Sequence, residues 1–105
     1  MNLPKKVNIT GMKYTVHKTK KTAGNGSGHN ILQGIWVGSD GSGDKQRETF
    51  IHEVAEMVLV ERGMRYDRNQ YGDSGDIMFV MDHEQFHIFI TDLAFALKPL
   101  FKKGK

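Results

Sequence analysis

The sequence predicts an α+β domain: a small antiparallel β-sheet packed on a buried helix, with a second helix at the C-terminus. Three observations predict it. Before residue 40, short runs of alternating apolar and polar residues are broken by glycine. The stretch Phe50 to Val60 is apolar on almost every side. After residue 82, Phe86, Phe89 or Ile90, Leu93, Leu97 and Leu100 recur at helical spacing. A chain of 105 residues is expected to form one domain, residues 1–105, near the low end of domain sizes. Neither an internal repeat nor a linker interrupts it.

Each element has its own signal. Lys6 to Thr10 and Lys13 to Lys18 read as two strands joined by a turn at Gly11-Met12. Lys20 to Gly28 is polar and glycine-rich, which predicts a mobile loop. Ile31 to Val37 predicts a third strand, with Gly34 marking a bulge or a close approach. After a loop over Gly38 to Gly43, Asp44 is the expected N-cap of a long helix that Gly63 ends. Because its centre is apolar all round, that helix is expected to be buried between the sheet and the other helix. Tyr66 to Asp76, with Gly72 and Gly75, predicts a long polar connection, and Ile77 to Val80 a short strand. Asp82 and Gln85 have capping-box spacing for the second helix, from about His83 to Phe101.

Composition excludes several functions. With Cys 0, the chain has no disulfide, thiolate metal site or cysteine nucleophile. The N-terminus has no apolar core of a signal peptide, and no apolar run approaches the length needed to cross a membrane. A cytoplasmic location is the expectation, in a bacterial host if the chain is phage-encoded. The net charge of +3 comes mostly from Lys18, Lys20 and Lys21 and from Lys98, Lys102, Lys103 and Lys105. Such clusters read as solubilising, and no nucleic-acid motif accompanies them, so neither nucleic acid nor a membrane is an expected partner. Gly24 to Gly28 lacks the Lys-Ser/Thr of a phosphate loop, and Asp40 to Asp44 lacks the ligand spacing of a calcium loop.

The chemistry concentrates in Ile51-His52-Glu53-Val54-Ala55-Glu56-Met57. Three ionisable residues in the most apolar stretch of a helix need a shared reason to be there. His52 and Glu56, four apart, converge on one point, and Glu53 lies about 100° round the helix from His52. This is the geometry of a helix-borne zinc site: two ligands at i and i+4, and a carboxylate at i+1 that takes a proton from water. The familiar motif is H-E-x-x-H; here it is H-E-x-x-E. If Glu56 supplies the carboxylate ligand, a histidine is needed from elsewhere, and the second helix offers His87, in line with Ile90 and Ala94. His83 is the less favoured candidate, at the frayed start of that helix. His83-Glu84-Gln85-Phe86-His87 is itself a literal H-E-x-x-H, but it begins at a helix cap and only Asp92 follows as a third ligand. Taken singly, His52 reads as an ordinary core or boundary histidine, and Glu53 and Glu56 as a solvated helix face; the combination favours the metal.

The order of elements, the helix carrying IHEVAEMVL and the later pattern His-x-x-Ile-x-x-Leu-Ala-x-x-Leu resemble the short zincin-like proteins encoded by phages and prophages, minimal relatives of the gluzincin metallopeptidases. The resemblance covers roughly Val7 to Leu100. It implies a zincin-like fold, with His52 and Glu56 as helix ligands, His87 as third ligand and Glu53 as catalytic carboxylate. The expected function is zinc-dependent peptide hydrolysis, with Glu53 as general base and then acid toward the leaving amine. The expected substrate is a peptide or protein, laid as an extra strand along an edge strand at Ile31 to Val37, where Gly34 allows close approach. Candidates for an oxyanion donor are His29, Tyr66 and Tyr71. Two rival readings are a metal-stabilised phage-type binding or regulatory protein without catalysis, and a metal-free regulatory protein that uses the lysine clusters.

Overall fold

The computed structural model describes residues 3–22, 24–67 and 77–101. They form a small α+β fold. The strands are β1 (Lys6–Ile9), β2 (Met12–Thr22), β3 (Gly26–His29), β4 (Gly34–Asp40), β5 (Arg65–Asp67) and β6 (Ile77–Phe79); the helices are α1 (Gly43–Glu61), α2 (His83–Ala96) and α3 (Lys98–Phe101). Tyr71, Gly72, Gly75, Lys102, Lys103 and Lys105, which the sequence reading singles out, lie outside the described residues.

The main sheet has the order β1-β2-β4-β3, and it is mixed rather than antiparallel. β1 pairs antiparallel with β2, β4 runs parallel to β2, and β3 pairs antiparallel with β4. The expected loop over Lys20 to Gly28 is therefore the end of β2, a turn and most of β3. The expected strand at Ile31 starts later, at Gly34. Side chains give the reason. Ile35 and Val37 are fully buried and need a central place over the helix. Gly26-Ser27-Gly28-His29 has no apolar side chain to bury, so it takes the edge. Ile31 and Leu32, 82% and 67% exposed, form the turn between β3 and β4.

One face of the sheet rests on α1. Val7, Ile9, Tyr14, Ile35 and Val37 from the strands meet Phe50, Val54, Met57 and Val58 from the helix, and Ala96 and Leu97 close the core from α2. Period-two alternation places Lys6, Asn8, Lys13, Thr15, His17, Ser27, His29 and Trp36 on the opposite face. No described helix covers that face.

Ser42, not Asp44, caps α1: its side chain accepts from the Lys45 amide at 3.1 Å, and Asp44 sits in the first turn. Gly63 ends the helix with φ +70°, and the Met64 amide donates back to the Leu59 carbonyl at 2.8 Å. Burial is one-sided instead of all round: Gln46, Thr49, Phe50, Glu53, Val54, Met57, Val58 and Leu59 are buried, while His52 is exposed.

Asp82 and Gln85 form the capping box of α2. The second helix stops at Ala96, Pro99 having no amide to donate back to the preceding turn, and α3 follows as a separate turn. Phe89, Leu93 and Leu100 pack onto the core, and Arg62 Nε donates to Asp92 Oδ2 at 2.6 Å, tying α2 to the end of α1. Among the described residues, no helix is long and apolar enough to cross a membrane.

Candidate functional site

The middle of α1 brings His52, Glu53 and Glu56 to one place, beneath the sheet edge made by β3. His52 Nε2 lies 2.8 Å from Glu56 Oε2, so the i,i+4 pair converges as its spacing requires. The His52 side chain is 63% exposed and that of Glu56 24%. Arg65, on β5, approaches from the other side, its Nε 3.8 Å from Glu56 Oε1. That nitrogen is buried and has no hydrogen-bond partner among the described residues. Sequence reasoning missed Arg65; its only signal was a cation just beyond the helix terminator.

Glu53 is 9% exposed, a burial unusual for a carboxylate. Burial raises its pKa above the ordinary value; repulsion from Glu56 adds to this, while His52 and Arg65 oppose it. The strand above explains how Glu53 fits there. A Cβ on Gly26 would sit 2.6 Å from Thr49 Cγ2 and 3.1 Å from Glu53 Cγ, and a Cβ on Gly28 would sit 2.9 Å from Met57 Cγ. The two glycines of β3 thus let its backbone lie directly on α1, with the Glu53 carboxylate against the strand. A hollow of about 200 Å³ opens beside them, lined by Gly24, Gly26, Lys45, Glu48, Thr49, His52 and Glu53.

His87 lies elsewhere. It is exposed on α2, as are Ile90 and Ala94, which share its side of the helix. Phe89, which packs on the core, is two residues on and about 200° round the helix, so the stripe that docks α2 turns His87 outward. His83 is exposed too, as the first residue after the Asp82 cap. Among the described residues, no three His, Asp or Glu side chains are placed to hold one metal ion. The structure therefore assembles two of the expected ligands, His52 and Glu56, with Glu53 beside them, and does not bring His87 to them.

The donor chemistry of the pair suits zinc. Two ligands of one zinc ion at about 2.0–2.1 Å lie roughly 3.3 Å apart at the tetrahedral angle, so the His52–Glu56 pair needs only a small opening to offer two corners.

Two further expectations change. The expected edge strand at Ile31 to Val37 is interior: β4 lies between β2 and β3, and the edge beside α1 is β3. The close approach at Gly34 is made by the indole of Trp36, whose Cη2 would lie 2.5 Å from a Cβ there, and leaves no room for a peptide backbone. Of the oxyanion candidates, His29 ends β3 with its Nδ1 accepting from the Leu32 amide at 3.1 Å, and Tyr66 belongs to β5. No family model matches the chain, and no curated protein or solved structure matches it.

Proposed function

We propose that the protein is a zincin-like, zinc-dependent peptide hydrolase whose site lies on α1 beneath β3. The observation that carries this reading is the convergence of His52 and Glu56 beside a buried Glu53, at the free edge of a sheet. His52 and Glu56 would hold the ion, and the third ligand the sequence offers is His87, which α2 as docked turns outward. A zinc ion held there would polarise a water and lower its pKa far below that of bulk water.

The chain's own residues would do the rest. Among the described residues β3 pairs with β4 alone, and its outer backbone groups can accept an extended peptide as an added strand. The glycines of β3 place such a peptide close to His52 and Glu53. The Glu53 carboxylate would take a proton from the attacking water and return it to the departing amine, so the group ends each cycle as it began. Arg65 would hold Glu56 in place through its guanidinium.

The test is cleavage of a mixed peptide library by zinc-loaded protein, with Glu53→Gln beside it. The expected result is turnover by the unmodified chain and a loss of about a hundredfold or more in the variant, with zinc retained. No cleavage by zinc-loaded protein, or equal cleavage by Glu53→Gln, overturns the reading. A second reading, a metal-free binding protein, is favoured by the outward placement of His87; it predicts neither zinc uptake nor cleavage.

A further inference from the structure

The uncovered face of the sheet carries a second cluster that owes nothing to α1. His17 and Trp36 are register partners on β2 and β4, and their rings stack with centroids 4.9 Å apart and planes 16° from parallel. An open hollow of about 450 Å³ adjoins them, lined by Thr19, Lys21, Asn25, Ser27, His29 and Trp36 together with Gly26 and Gly28. His17 is not part of that lining, so it backs the indole while Trp36 faces the hollow. Gly34 is what makes this possible: the indole lies where any side chain at that position would stand.

Basic residues outnumber acidic ones on the outer face. Lys21 lines the hollow, and Lys6 and Lys13 share its face, while Lys18, register partner of the inward Val37, alternates to the other side; the single carboxylate of these four strands is Asp40, register partner of Thr22. Lys13 and Lys21 are exposed. The acidic residues of the described chain sit mainly on the helical side: Asp44, Glu48, Glu53, Glu56 and Glu61 on α1, and Glu84 and Asp92 on α2. A flat aromatic platform bordered by cations and hydrogen-bonding side chains calls for a ligand that is planar and anionic at once. A nucleobase with its phosphate meets both requirements; an acidic peptide meets only the second.

We propose that this outer face binds single-stranded nucleic acid, with a base stacked on Trp36 and backbone phosphates on Lys13 and Lys21. Ser27, Asn25 and Thr19 supply hydrogen-bonding groups at the wall of the hollow. A site of this kind tolerates any base, because every base has a π-face. It is independent of the His52 cluster, which lies on the opposite face of the sheet.

Trp36 is the chain's single tryptophan, so intrinsic fluorescence reports on the site directly. The probes are oligothymidylate and oligouridylate of about a dozen nucleotides, with polyglutamate as an anion that has no base. Saturable quenching by either oligonucleotide, weakening about sevenfold from 50 to 200 mM salt for two phosphate contacts, is expected. Polyglutamate should quench far less. Trp36→Leu, followed with a dye-labelled oligonucleotide, should weaken binding about fivefold or more. Ser27→Glu keeps the reporter, sets a carboxylate at the hollow and should abolish quenching. Neither quenching nor a change in anisotropy at millimolar protein would overturn the proposal. So would equal binding of polyglutamate, or undiminished binding by a folded Trp36→Leu or Ser27→Glu chain.

Discussion

The two faces of the main sheet are built from the same four strands and have opposite characters. The inner face is apolar and packed: Tyr14, Ile35 and Val37 are fully buried against α1, and the ionisable groups beneath it are mainly carboxylates. The outer face is polar, basic and aromatic, with the His17–Trp36 stack at its centre. Alternation along each strand separates the two sets residue by residue. A single small domain thus carries a cluster of partly buried acidic groups and an open basic face on the two sides of one sheet.

The largest expected effect separates the two faces by function. Glu53→Gln should lower peptide hydrolysis about a hundredfold or more while leaving the oligonucleotide titration of Trp36 unchanged. If both fall together, the faces are not independent and the comparison breaks. Stability gives the next contrast. Phe50→Ala, in the inner core, should cost about 3–5 kcal/mol and be visible as a large drop in Tm or loss of folding. Trp36→Ala, on the outer face, should cost under about 1 kcal/mol. Equal losses in the two variants would show that the outer aromatic pair is a second core.

A finer test uses neighbours in one strand. Gly26→Val drives a side chain into Thr49 and Glu53 and should cost about 1–3 kcal/mol. Ser27→Val, pointing the other way, should change thermal stability by no more than about 0.5 kcal/mol. The smallest effect is a pH dependence. The folded-state pKa of Glu53 is raised above its ordinary 4.5, first by burial and then by Glu56. The folded protein therefore holds that proton more tightly than the unfolded chain. Stability is lost as pH rises from 4.5 through the raised value and stays lost above it. Glu53→Gln removes the loss, so its Tm should exceed that of the unmodified chain at pH 7 and match it below about pH 4. A variant that is less stable at pH 7 would mean that the carboxylate contributes to the fold.

Much of the helical half was legible in the sequence, and the sheet was legible only in part. The convergence of His52 and Glu56 follows from helical spacing alone, and so does the exposure of one side of α1 once the sheet is known. The capping box at Asp82 and the terminator at Gly63 are local signals, and both are present. β3 was not legible, because Gly26-Ser27-Gly28-His29 has no side-chain alternation; pairing with β4 and contact with α1 make it a strand. The parallel placement of β4 was hidden for the same reason, since it depends on which strand yields the centre to Ile35 and Val37. His87 shows the limit of pattern matching. Its spacing to Ile90, Leu93 and Leu97 is visible, but whether that side of α2 faces α1 depends on how the helix docks. Phe89 and Leu93 settle the docking with His87 outward.

The central proposal is that His52 and Glu56, with Glu53 beside them, belong to a zinc site. Elemental mass spectrometry on protein purified without a His-tag or chelator tests it most directly, with His52→Ala, Glu56→Ala and His87→Ala prepared alongside. The account predicts about one equivalent of zinc in the unmodified chain, lost in all three variants, since zinc sites that keep an open position use three protein ligands. A folded chain that neither carries zinc nor takes it up on addition would contradict it.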